Sequence, residues 1–150
     1  IPKIVAKIES KMRLYNLQSI LDEVDGILVD RGDLSREISI SRIPLATKSI
    51  INSCNKKNIP CYVATNVLDS MITSSLPSRA EISDLYNPLE SKVSGIVLAA
   101  ECAVGKHPVE SVQVVNHISR VFEAHQFGTL DVLPSEIFNK ELPEQLSNWL

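Results

Sequence analysis

Four short apolar runs recur along the chain: Ile4-Val5-Ala6, Gly26-Ile27-Leu28-Val29, Cys61-Tyr62-Val63-Ala64 and Gly95-Ile96-Val97-Leu98. They are rich in β-branched residues and none alternates apolar with polar positions. Each therefore predicts a strand buried on both faces, as in a parallel sheet. A polar cluster and then a helical pattern follow each run. Met12, Leu17, Ile20, Leu21 and Val24, at spacings of three and four, predict the first helix. The second begins near Pro44, a residue suited to a first helical turn, and carries Ala46, Ile50, Ile51 and Cys54. The third runs from Ser78 to about Leu89. Ser78 with Glu81 three residues on makes a capping-box pattern, and Pro88 is expected to end or kink this helix. The fourth starts at Pro108 and carries Val112, Val115, Ile118 and Phe122.

The order β-α-β-α-β-α-β-α implies parallel strands joined by right-handed crossovers. An open doubly wound sheet and a closed barrel both satisfy it. Four strands are too few to close an eight-stranded barrel. The chain is therefore expected to leave two sheet edges to a partner or a missing segment. From about Gln126 the register changes, with Gly128, Pro134 and Pro143 interrupting any long periodicity. Leu130, Val132, Leu133, Ile137, Phe138, Leu142, Leu146 and Trp149 still supply apolar anchors. The expected organisation is a domain over 1–125 and a tail over 126–150 with one or two short helices. A start at Ile1-Pro2, inside an apolar run, is expected of a piece of a longer chain.

Composition narrows the partners. The 150 residues can bury one real core. A net charge of −3 and a pI near 5.6 are too mild to argue for nucleic acid or an anionic membrane. No apolar run approaches the roughly 20 residues a membrane helix needs. Three cysteines without close pairing fit a reducing compartment, the cytoplasm or an organelle interior, rather than secretion. Cys54 and Cys61 lie in apolar stripes and read as core. Cys102 follows a strand end, beside Glu101, with nothing to lower its thiol pKa. No Cys and His spacing suggests zinc.

Chemistry in such folds sits at the carboxyl ends of the strands. Those positions hold Lys7 and Glu9, then Asp30, Arg31, Gly32 and Asp33, then Thr65 and Asn66, and last Glu101 and Gly105. Lys7 and Glu9 are two apart on a strand and project to one face. A salt-bridged barrel mouth explains them. So does a carboxylate for a hard cation beside a charge-stabilising ammonium. Glu9 and Asp33 come from adjacent strand ends and can reach one ion. Mg²⁺ takes one or two protein carboxylates and completes its shell with water and phosphate. Gly32-Asp33, with the following Leu34-Ser35, can present N–H groups to a carboxylate or phosphate oxygen. An Arg-Gly-Asp tripeptide alone also arises in any surface loop. Thr65 offers a hydroxyl to a substrate, or serves as a β-former. His107 and His117 have no acid or nucleophile partner at useful spacing. His125, near the end of the last helix, complements its dipole.

At these residues the chain resembles pyruvate kinase. The matching stretches are Lys3-Ile4-Val5-Ala6-Lys7-Ile8-Glu9, then Asp25-Gly26-Ile27-Leu28-Val29-Asp30-Arg31-Gly32-Asp33-Leu34, then Ala64-Thr65-Asn66-Val67-Leu68-Asp69-Ser70-Met71. Pro77-Ser78-Arg79-Ala80-Glu81-Ile82-Ser83-Asp84 and Gly95-Ile96-Val97-Leu98-Ala99-Ala100-Glu101 complete the set, with Gly105 and Pro108 following. They stand in family order over about residues 3–125, and as an ordered set they are specific. The resemblance implies a parallel (β/α)4 half-barrel, the last four units of a TIM-type (β/α)8 barrel. It implies that Lys7 stabilises the transferring phosphoryl group and that Glu9 and Asp33 hold Mg²⁺ or Mn²⁺. Gly32 and Asp33 would bind the substrate carboxylate, and Thr65 would lie near the carbon that is protonated. The implied reaction moves the phosphoryl group of phosphoenolpyruvate to ADP, giving pyruvate and ATP. Positioning and charge neutralisation do most of the work in such a transfer.

The departures from the family bear on activity. Asp30 stands where alanine is usual. If it points into the site, it repels an anionic substrate by on the order of 1–4 kcal/mol at about 4 Å. Ser35 replaces a glycine and is expected to constrain the turn. Asn66 stands for glutamine, Ala99-Ala100 for Ser-Gly, and Cys102 for threonine. The resemblance places the family's first four strands, its lid domain and its C-terminal regulatory domain outside this chain. The monovalent-cation ligands and an arginine on the phosphoryl group go with them. The isolated chain is therefore expected to be inactive and to need the missing barrel half or a second copy. The tail is not expected to match the family's next domain. A degenerate binding or assembly module is the alternative.

Overall fold

The computed structural model describes residues 1–126. Four strands, β1 (Val5–Ile8), β2 (Gly26–Asp30), β3 (Cys61–Ala64) and β4 (Gly95–Val97), form one sheet. Every pairing is parallel, and neighbours in the sheet are neighbours in sequence. That separates the two architectures. A doubly wound sheet reverses its strand order at a switch point, whereas a barrel lays each strand beside its predecessor. The chain is an α/β arc of barrel type with four strands.

Helices α1 (Lys11–Tyr15) and α2 (Leu17–Leu21) follow β1. The single turn α3 (Arg31–Leu34) and the long α4 (Ile43–Lys57) follow β2. After β3 come a 3₁₀ turn (Asp69–Ile72) and α5 (Arg79–Glu90), and after β4 come α6 (Ala100–Ala103) and α7 (Pro108–Gln126). On α4, Pro44 sits in the first turn and Asn58 closes the helix in the left-handed conformation, at φ 55°. The capping box of α5 forms as the sequence predicts. Ser78 Oγ accepts from the Glu81 N–H, and the Glu81 carboxylate accepts from the Ser78 N–H at 2.7 Å.

Four expectations are corrected. The first helix is two short ones, because Asn16 turns back onto the Met12 carbonyl with both its backbone and its side-chain N–H. Leu17 and Leu21 are buried, but Met12 is 69% exposed. Pro88 does not end α5, which runs on to Glu90 with the ring buried inside it. On α7 the buried stripe is Ser111, Val114 and Ile118, with Val115 packed beside it and the Phe122 ring edge-on to Tyr86 at 5.8 Å. Val112 is one position off that stripe and exposed.

The fourth correction concerns the sheet. Ile8, Ile27, Val29, Cys61 and Val63 are fully buried, and they pack with Leu17 and Leu21 of α2 and Ile50, Ile51 and Cys54 of α4. The opposite row runs Lys7, Leu28 and Tyr62 across β1 to β3. On the same face, Val5 and Val97 are 50% and 38% exposed. Crossovers of one hand put the helices of the described residues on the same side of the strands, so among those residues only that side is covered. A second core of Val67, Leu68, Met71, Leu85, Val114 and Ile118 joins the loop after β3 to α5 and α7. The tail with its apolar anchors lies outside the described residues, as does the side chain of His125. Among the described residues no helix is long and apolar enough to cross a membrane.

Candidate functional site

Lys7 stands one residue before the end of β1. Its Nζ lies 2.9 Å from Glu9 Oε2 and 2.9 Å from Asp30 Oδ2. Glu9 Oε1 is held at 3.0 Å by Arg13, one turn into α1. Asp30 ends β2 and is also the N-cap of α3, its Oδ1 accepting from the Asp33 N–H at 3.2 Å. Oxygens of Glu9, Asp30 and Asp33 all lie within 4.8 Å of one another. Gly32 donates its N–H to Thr65 Oγ1 at 2.7 Å. The Thr65 hydroxyl proton lies between Asp30 Oδ1 at 3.1 Å and the Ala64 carbonyl at 2.7 Å. Lys7, Glu9, Gly32, Asp33 and Thr65, read separately from the sequence, thus converge around Asp30.

The loop after β3 is strained where it meets this cluster. Thr65 has φ 66° and Asn66 φ 53°. A β-branched residue in the left-handed region is a costly outlier that persists only when its surroundings over-determine it. Arg31 supplies much of that restraint. One guanidinium nitrogen donates to the Thr65 carbonyl at 2.9 Å and to the Asn66 carbonyl at 3.2 Å. The other reaches Asp84 of α5 at 2.7 Å. Asn66 in turn donates to Asp69 at 2.6 Å. Sequence reasoning missed the Arg31–Asp84 tie, since only the fold brings α5 over the β2 strand end. Ser35 does not constrain its turn, because its φ of −66° is ordinary helix and needs no glycine.

The electrostatics follow from these contacts. Hydrogen bonds to Glu9 and Asp30 hold the Lys7 ammonium well above the ordinary lysine value. Burial pushes Asp30 up, but the hydrogen bonds from Lys7, the Asp33 N–H and Thr65 outweigh it and leave the carboxyl below its usual value. The oxygen-only donor set suits a hard divalent cation, which keeps water in its shell. Lys7 already places one positive charge among the three carboxylates.

Other candidates fall away from the cluster. Glu101 is buried within α6, where its Oε2 accepts from the Ala99 N–H at 3.0 Å and its Oε1 has no hydrogen-bond partner among the described residues. A Cβ on Gly105 would stand 2.2 Å from the Glu101 carbonyl oxygen, so glycine there is a packing requirement. Cys54 and Cys61 are fully buried. Burial and the neighbouring Glu101 push the Cys102 thiol up. His107, read as lacking an acid partner, lies 4.0 Å from Glu110. A cavity of about 440 Å³ adjoins the cluster, with Arg31, Gly32 and Asn66 in its wall beside Thr47 of α4 and Pro88 of α5.

The family profile for the barrel domain of pyruvate kinase matches residues 2–112. The chain belongs to the pyruvate kinase family. It is 36% identical over 142 residues to a pyruvate kinase of Methanocaldococcus jannaschii, covering 93% of this chain and 32% of the relative. Against a pyruvate kinase of Thermotoga maritima it is 40% identical over 136 residues, 89% of this chain and 29% of the relative. Against pyruvate kinase 2 of Synechocystis the identity is 35% over 147 residues, 97% of this chain and 24% of the relative. The chain therefore spans a quarter to a third of the length of these relatives.

Proposed function

We propose that the chain carries the metal-binding and phosphoryl-stabilising half of a pyruvate-kinase-type site. The convergence of Lys7, Glu9 and Asp33 at two adjacent strand ends supports this reading. Glu9 and Asp33 would hold Mg²⁺ or Mn²⁺, which would neutralise phosphoryl and enolate oxygens when bound. Lys7 would stabilise charge on the transferring phosphoryl group of phosphoenolpyruvate. The Gly32 and Asp33 amides would orient the substrate carboxylate, and Thr65 would face the carbon that takes up a proton. ADP and the monovalent cation would be bound by parts of the parent protein beyond this half-barrel. The chain by itself is then without turnover until the other barrel half, or a second copy, completes the site.

A second reading, a binding or assembly module without catalysis, is favoured by one observation. Lys7 spends its charge on Asp30. Titration of the chain with Mn²⁺, followed by electron paramagnetic resonance, tests the first reading. Saturable binding that weakens at least about tenfold in Glu9→Gln, about 1.4 kcal/mol, is the expected result. Absence of Mn²⁺ binding, or indifference to Glu9→Gln, would sink it.

A further inference from the structure

The cavity beside the strand ends, about 440 Å³, falls within the roughly 300–1,000 Å³ of small-molecule pockets. Its wall on α4 is the stripe Ile43, Thr47 and Ile51, four residues apart and all buried. Thr47 stands where an aliphatic residue would complete that stripe. It is 8% exposed, and its hydroxyl has no hydrogen-bond partner among the described residues. The same holds for Nε of Arg31, which also lines the cavity. The other two nitrogens of that guanidinium are taken, one by Asp84 and one by the Thr65 and Asn66 carbonyls. Buried polar atoms ordinarily find partners, and two partnerless ones on residues of one cavity call for an occupant that supplies an acceptor. Asp84 already answers the Arg31 charge, and Lys48 of the wall is exposed. An anion would therefore be desolvated with no buried cation to itself. We propose that the cavity takes a small uncharged molecule, an apolar body with one carbonyl-type acceptor that receives the Arg31 Nε–H and the Thr47 hydroxyl. Both atoms are shielded from water as the side chains stand, and binding turns them to the cavity. For Thr47 this takes one χ1 step between the two rotamers that threonine uses in helices.

This inference goes beyond the metal-site reading and is independent of it, since Lys7, Glu9, Asp30, Asp33 and Thr65 do not line the cavity. The probe is acetophenone, an aromatic ring with one carbonyl. Its control is α-methylstyrene, which has the same shape with CH₂ in place of the oxygen. Each is titrated into the 150-residue chain and followed by the Arg31 Nε–H and Thr47 methyl resonances. Acetophenone should shift both saturably, and α-methylstyrene should bind at least about tenfold more weakly. Thr47→Val keeps the shape of the side chain and removes the hydroxyl. It should weaken acetophenone binding roughly fivefold. Its thermal midpoint should be unchanged or raised, because the substitution deletes a partnerless buried group. Absence of a saturable Arg31 shift in the wild type overturns the proposal without any variant. Equal affinity for the two probes, or an unchanged affinity in Thr47→Val, overturns it too. So do shifts at the Gly32 and Thr65 amides with Arg31 Nε–H and the Thr47 methyl unmoved, which would put the probe at the strand ends. Acetophenone binding as expected together with failed Mn²⁺ binding would remove the metal-site reading and leave this one standing.

Discussion

At the scale of the residue, Glu81 shows how one carboxylate fixes a loop and a helix start together. It accepts from the Ser70 N–H at 2.7 Å and the Ser78 N–H at 2.7 Å, and from the Ser70 hydroxyl. Burial raises its pKa, but these hydrogen bonds outweigh burial and leave it below the ordinary 4.5. A carboxyl with a depressed folded value stabilises the fold fully above its unfolded value and loses that contribution as pH falls through the folded one. Thermal unfolding monitored by circular dichroism should therefore show a drop in midpoint below about pH 4.5 that Glu81→Gln makes shallower, with Asp30 supplying part of the remainder. At neutral pH the same substitution should cost about 1 kcal/mol, since the amide gives up a charge-assisted bond. An unchanged acid limb in the variant would refute this assignment. The capping box was legible in the sequence from the Ser78–Glu81 spacing. The reach to Ser70 was not, because it depends on how the loop after β3 folds over α5.

At the scale of the element, α4 carries the outer layer of the sheet. Ile50, Ile51 and Cys54 are buried to within 1% and face Ile27, Val29, Cys61 and Val63. The 3.6-residue period exposed this stripe in the sequence, and it forms as predicted. Ile50→Ala should lower the unfolding free energy by about 2–5 kcal/mol, read from urea denaturation with an unchanged slope. A cost under about 1 kcal/mol would mean that this face is loosely packed. The misplaced elements have one common cause. Met12 and Val112 fit an apolar count but not the face that meets the sheet, and a register one residue away satisfies the same periodicity. Pro88 sits two residues from the end of α5, which closes at Glu90, one residue past the expected Leu89.

At the scale of the whole molecule, the sheet has, among the described residues, one covered face and one half-open face. Val5 and Val97 lie on the open side, next to the Lys7, Leu28 and Tyr62 row. A barrel covers that row with strands from its other half. Burying such apolar surface stabilises by about 25 cal/mol per Å². The chain by itself is therefore expected to associate. Sedimentation velocity should show a weight-average coefficient that rises with concentration across the micromolar range. A single monomeric species throughout would count against completion by a second copy.

The sequence by itself determined the strand–helix alternation, the parallel sheet and the residues that gather at its carboxyl end. Each of these is set by local period, capping and strand-end position, which short-range physics dictates. Two matters waited for the tertiary structure. One was barrel order against doubly wound order, since both obey the same local pattern and differ only in which strands pair. The other was the role of Asp30. As a letter it was an extra negative charge, expected to repel. In the fold, β1, β2 and the loop after β3 bring Lys7, the Asp33 amide and Thr65 onto its oxygens. Whether a buried carboxylate repels or is stabilised depends on its partners in space, and those come from distant parts of the chain.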